Sequence, residues 1–151
     1  MTDENSYPTR PKGISTVCLP ESYPRELKKD TVDIAKYLVK LAKEGDSNPA
    51  SYKETGGEIG LKQNDPVLFM HLGTISWVTF HNADVFLSVL VAREDEKIPG
   101  NGFFKMVAEF RGRPYKESTN DEVFIDELNR VCEAAKEGKL DFILTGKTLK
   151  D

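Results

Sequence analysis

Long apolar runs are missing from this chain of 151 residues. No uninterrupted stretch approaches the roughly 20 residues that a bilayer-crossing helix needs, so a helical membrane protein is not expected. Cysteine is almost absent: Cys18 and Cys132 lie far apart and match no metal or redox spacing. Residues 1–10 are polar and acidic, without a basic-then-apolar leader pattern, so free thiols and a cytoplasmic location are expected. Histidine is scarce too; His71 and His81 are ten residues apart, unlike the four-residue helical spacing that presents two imidazoles to one zinc. Neither sign of charge dominates, with 21 Lys and Arg against 25 Asp and Glu, a net charge of −4 and a pI near 5.3. That balance excludes a generic polyanion binder, so any phosphate-binding surface has to be a local patch.

What is present is an ordinary globular mixture, 38% hydrophobic and 30% charged, in a chain long enough for one domain with a real core. The expected class is α+β: a single small helical domain with a short β-sheet over residues 25–151, preceded by an irregular arm over residues 1–24. The arm carries Pro8, Pro11, Pro20 and Pro24, with Ile14, Val17 and Leu19 placed to pin it to the core. Over residues 25–44, Leu27, Thr31, Ile34, Leu38 and Leu41 recur at helical steps, and Lys28, Lys29, Lys36, Lys40 and Lys43 take the solvent side. Gly45 supplies the stop.

A polar turn at residues 46–49 leads to a short helix expected over residues 50–59, weakened by Gly56 and Gly57 at roughly 1 kcal/mol each. Residues 65–80 read as a buried helix. Residues 85–92, an almost continuous β-prone run, read as a buried strand. The charged loop 93–102 closes on the turn signal Ile98-Pro99-Gly100-Asn101-Gly102. A helix over residues 103–110 would turn Phe103, Val107 and Phe110 inward before Gly112 and Pro114. The last helix, residues 120–137, would open with a capping box between Thr119 and Glu122, face inward with Phe124, Leu128, Val131 and Ala135, and stop at Gly138. Residues 140–144 form a terminal strand or a docked tail.

Candidate chemistry is sparse. His71, in an apolar segment, reads as a satisfied core or boundary residue; His81, beside Asn82 and Asp84 in an expected loop, is the better general base but has no evident nucleophile. Ser88 lacks the glycine-flanked elbow that exposes a nucleophile, and Cys132 reads as a structural thiol. Gly56, Gly57, Gly60, Gly100 and Gly102 match no phosphate-loop pattern, and Glu94-Asp95-Glu96 reads as a solvated run. No cofactor, metal or modification is implied. Lys62, Arg93, Lys97, Arg111 and Arg113 fall on the expected loops around the central strand, where they could converge on phosphates.

From Tyr52 to Phe104 the order of features resembles the winged-helix domain of the alkylguanine DNA alkyltransferases and alkyltransferase-like proteins. The residues that carry the likeness are Tyr52-Lys53-Glu54, Ile59-Gly60, His71-Leu72-Gly73, the run at 85–92 and Gly102-Phe103. The resemblance implies a winged-helix core and DNA binding. It also sets Pro66 at the family's intercalating arginine, Ser88 near its reactive cysteine, and Val89 and Leu90 at the His and Arg that follow. No activated thiolate is available, so alkyl acceptance is not implied.

Three functions follow. The first is a non-enzymatic nucleic-acid-binding module, with Tyr52, Lys53, Lys62, Arg93, Lys97, Arg111 and Arg113 as contacts. The second, suggested by the absence of Lys and Arg from 65–80, is an interaction or regulatory protein using Trp77, Phe80 and Phe86, or a homodimer. The third is an enzyme built on His81, Asp84 and Ser88.

Overall fold

The computed structural model describes residues 7–11, 19–45 and 49–150. Ile14, Val17, Cys18 and most of the turn at 46–49 lie outside the described residues. Among the described residues, five α-helices and one minimal sheet follow in the order α1 (Lys29–Glu44), β1 (Ala50–Ser51), α2 (Tyr52–Gly57), α3 (Pro66–Ala83), β2 (Val91–Ala92), α4 (Asn101–Arg111) and α5 (Asn120–Lys136). The fold is a small α+β domain. Its sheet is one parallel pair, Ala50 opposite Val91 and Ser51 opposite Ala92.

Helix α1 buries Thr31, Ile34, Ala35, Leu38, Val39 and Ala42 on the stripe its periodicity defines, and packs against α3 and α5. Gly45 ends it in the left-handed region, φ 67°, which glycine enters without a Cβ penalty. The helix starts later than the spacing suggests, because residues 25–28 serve the chain's other end: the Leu27 amide donates to the Gly146 carbonyl at 2.9 Å. The irregular arm contributes to the core through Leu19 and Tyr23, both buried.

The expected helix at 50–59 is divided. Its first two residues pair as β1; the Ser51 hydroxyl then accepts from the Glu54 amide while the Glu54 carboxylate takes the Ser51 amide, a capping box that opens α2. The capping box expected at Thr119 is absent. Thr119 sits in a 3₁₀ turn running straight into α5, and its hydroxyl donates back to the Lys116 carbonyl at 2.7 Å.

Helix α3 is the central post. Asp65 caps it by accepting from the Val67 amide at 2.9 Å, and Pro66 occupies the first turn, where its missing N–H costs nothing. It runs on to Ala83, so His81 lies on a helix and not in a loop.

The main correction concerns residues 85–92. They are buried along their whole length, as the apolar run requires, but only Val91–Ala92 is strand; Leu87–Leu90 is a 3₁₀ turn. No ladder serves residues 85–90, and two hydroxyls of α3 take its place. Thr79 Oγ1 donates to the Val85 carbonyl at 2.8 Å and accepts from the Leu87 amide at 3.2 Å. Ser76 Oγ accepts from the Ser88 amide at 3.1 Å and donates to Ser88 Oγ at 2.6 Å. Buried backbone groups demand partners, and a fully enclosed coil is stable here because a neighbouring helix supplies them.

Residues 140–144 dock as a tail, in a 3₁₀ turn over Asp141–Thr145, with Leu140 and Ile143 buried. Asn82 holds the remainder: its amide donates to the Thr148 carbonyl at 2.8 Å and its oxygen accepts from the Lys150 amide at 2.7 Å. Tyr23 also donates to the Thr148 carbonyl. No helix of the described residues is long and apolar enough to cross a membrane.

Candidate functional site

The parallel pairing places Tyr52 and Arg93, the residues just after the two strands, at one edge of the sheet. A pocket of about 140 Å³ opens beside Tyr52. Phe69, Leu72 and Gly73 of α3 form one wall, Ser88 lies beneath, and Gly100, Gly102, Phe103 and Met106 at the start of α4 close the other side. Tyr52 and Phe69 meet with ring centroids 5.6 Å apart. The Gly100 amide donates to the Tyr52 hydroxyl at 3.2 Å, fixing the ring against the start of α4. That helix begins at Asn101, two residues before the expected start, with Gly100 as its cap.

A second, more open cleft of about 400 Å³ continues from the same two rings to Ser51, Gln63, Asn64 and Arg93, with the carboxylates Glu94 and Asp95 also on its wall. The site therefore has an aromatic inner part and a polar entrance. Arg93 is half exposed, and its weak contacts at 3.7 Å to Asp95 and 3.6 Å to Glu96 partly neutralise the acidic run. Lys53 and Lys62 are exposed on α2 and in the loop after it, and Lys97 is exposed on the loop leading to α4; none of the three carries an ion pair among the described residues.

Arg111 and Arg113 stand elsewhere. Helix α4 has 11 residues and the pocket is lined only as far along it as Met106, so its far end lies about 8 Å beyond along the axis, outside the pocket lining. Arg113 is exposed there, whereas Arg111 is committed to the interior. Its guanidinium donates to both oxygens of fully buried Glu127, at 2.8 and 3.0 Å, and to Asp84 Oδ1 and the Asp84 carbonyl, each at 3.0 Å. It also lies 5.1 Å from the Phe86 ring centroid. A guanidinium so held serves the fold, not a phosphate.

His81, Asp84 and Ser88 are not brought together as a catalytic group. The His81 ring packs on Tyr23 at 5.4 Å, Asp84 pairs with Arg111, and buried Ser88 bonds Ser76. His71 is held by Thr31, Oγ1 to Nδ1 2.8 Å, and burial pushes its imidazole below the usual range. Burial likewise raises the Cys132 thiol, which favours its unreactive protonated form. The rings nominated for a partner surface are not available either. Trp77 and Phe86 are buried, while Phe80 is half-buried, stacked on Phe86 at 4.9 Å. No group of three or more His, Cys, Asp or Glu among the described residues could hold a metal ion.

Phe69 gave no signal in the sequence because the 65–80 helix reads as uniformly buried, and Gln63, Asn64 and Met106 stand in no motif. Half-buried Phe69 is what turns the pocket aromatic. The chain matches no family model, no curated protein and no solved structure.

Proposed function

We propose that this chain is a non-enzymatic nucleic-acid-binding module of winged-helix type, in which the Tyr52 pocket takes one unstacked base and nearby cations hold the phosphates. The observation that carries the reading is convergence. Tyr52, Leu72, Gly73, Ser88, Gly102 and Phe103, six of the positions that carry the chain's resemblance to alkyltransferase-like domains, are spread over 52 residues of sequence and line one pocket. Aromatic rings with an adjoining hydroxyl and backbone amides suit a flat heterocycle, which needs stacking surface and in-plane polar partners. Arg93, at the entrance, and the exposed Lys53, Lys62 and Lys97 would supply the phosphate contacts; Arg111 does not take part. Among the described residues Ser88 bonds Ser76 and meets no base to activate it, so the module binds without accepting an alkyl group.

Fluorescence-anisotropy titration of labelled oligonucleotides tests this. Single strands should bind better than duplex, because an unpaired base costs less to unstack. With four cationic contacts, log affinity should fall against log salt with a slope of roughly 3. Tyr52→Ala should weaken binding roughly 5- to 100-fold, in line with about 1–3 kcal/mol per stacked base. Absence of binding to any oligonucleotide at low salt would overturn the proposal.

A further inference from the structure

Two surface features remain outside this reading, and they are complementary. The outer face of α5 carries Glu122, Ile125, Asp126, Asn129 and Glu133, all exposed and spaced to form one ridge. Ile125 is 58% exposed, one of only two large hydrophobic residues so exposed among the described residues, and it stands between carboxylates. On α1, Lys36, Lys40 and Lys43, with one carboxylate, Glu44, rim a groove of about 410 Å³ whose floor includes Val39 and Leu144. Lys36 and Lys40 have no ion pair among the described residues, while Lys43 reaches Asp141 at 2.8 Å; on the ridge, Asp126 already pairs with Arg130 of its own helix at 3.0 Å, so its part in docking is shared with that cation.

We infer that the α5 ridge of one molecule docks in the α1 groove of a second copy, Ile125 entering the apolar floor and Glu122 and Asp126 meeting Lys36 and Lys40. An isoleucine framed by acids and an aliphatic floor framed by lysines match in both hydrophobicity and charge, the combination that selects a partner. Ridge and groove are different surfaces, so the contact is head-to-tail and leaves one of each free for further copies. The interface shares no residue with the Tyr52 pocket.

Sedimentation velocity over a concentration series, at low and raised salt, tests it. The wild-type chain should associate progressively with concentration, and salt should weaken the association. Lys36→Glu/Lys40→Glu, which spoils the groove, and Glu122→Ser/Ile125→Ser, which spoils the ridge, should each be monomeric, with unchanged circular dichroism. All four positions are exposed, so folding should survive. Mixed in equal amounts, the two variants should form a one-to-one dimer and stop there, since only one intact ridge and one intact groove remain. A wild type monomeric at every concentration, self-association untouched by either variant, or a mixture that stays monomeric would overturn the inference.

Discussion

Thr79→Val isolates the arrangement that lets residues 85–88 be buried without a sheet. The substitution keeps the shape of the side chain and deletes one hydroxyl. Two backbone groups then lose their partner, the Val85 carbonyl at 2.8 Å and the Leu87 amide at 3.2 Å. Each buried group left unpaired costs about 1–3 kcal/mol. The added methyl returns about 1 kcal/mol, so a net loss of about 1–5 kcal/mol is expected. In a chain of this size that lowers Tm by roughly 3–15 °C. Urea denaturation at constant m-value reads the loss directly. Thr79→Ser is the control: it keeps the hydroxyl, drops a methyl and should cost about 1 kcal/mol. If Thr79→Val were as stable as the wild type, or less harmful than Thr79→Ser, the hydroxyl would not be holding this segment.

Arg111→Met should cost about 3–5 kcal/mol by stranding the fully buried Glu127 carboxylate, and adding Glu127→Leu should recover most of that. Denaturation of the singles and the double checks this, and oligonucleotide affinity should be unchanged in whichever of them remains folded. Gly56→Ala should destabilise by about 1–3 kcal/mol despite the better helix propensity, since a Cβ there would lie 2.8 Å from the Leu61 carbonyl oxygen. Gly57→Ala, with open space around it, should stabilise by up to about 1 kcal/mol; equal effects at the two positions would contradict the packing described. His71 should reduce stability as pH falls below about 6.5, because the unfolded imidazole takes up a proton that the buried one resists. Unfolding free energies measured either side of that pH should converge in His71→Gln relative to the wild type.

The helices were legible where one face alone decides burial. The stripe through Ile34 and Leu38, the stop at Gly45 and the extent of α5 follow from spacing and from glycine's access to positive φ. Residues 85–92 were not, because an apolar run reports burial and says nothing about who receives its hydrogen bonds. A signal was present: Ser76 and Thr79, three residues apart, are hydroxyls on a helix otherwise rich in apolar residues. Glu127 was another, a carboxylate between Phe124 and Val131 on the inner face of α5, which announces a buried cation. Reading it would have removed Arg111 from the phosphate contacts. The pocket itself depends on the parallel pairing of residues 50–51 with 91–92, a long-range contact that no local pattern encodes.

The central claim is that a base enters the Tyr52 pocket, and 2-aminopurine fluorescence tests it most directly. A single-stranded oligonucleotide carrying one 2-aminopurine should change emission on saturation with the wild-type chain, as the base leaves its neighbours and stacks on Tyr52 and Phe69. Tyr52→Ala should abolish that change while retaining salt-sensitive binding through Lys53, Lys62, Arg93 and Lys97. An identical fluorescence change in wild type and Tyr52→Ala, or none in the wild type at saturation, would contradict base insertion.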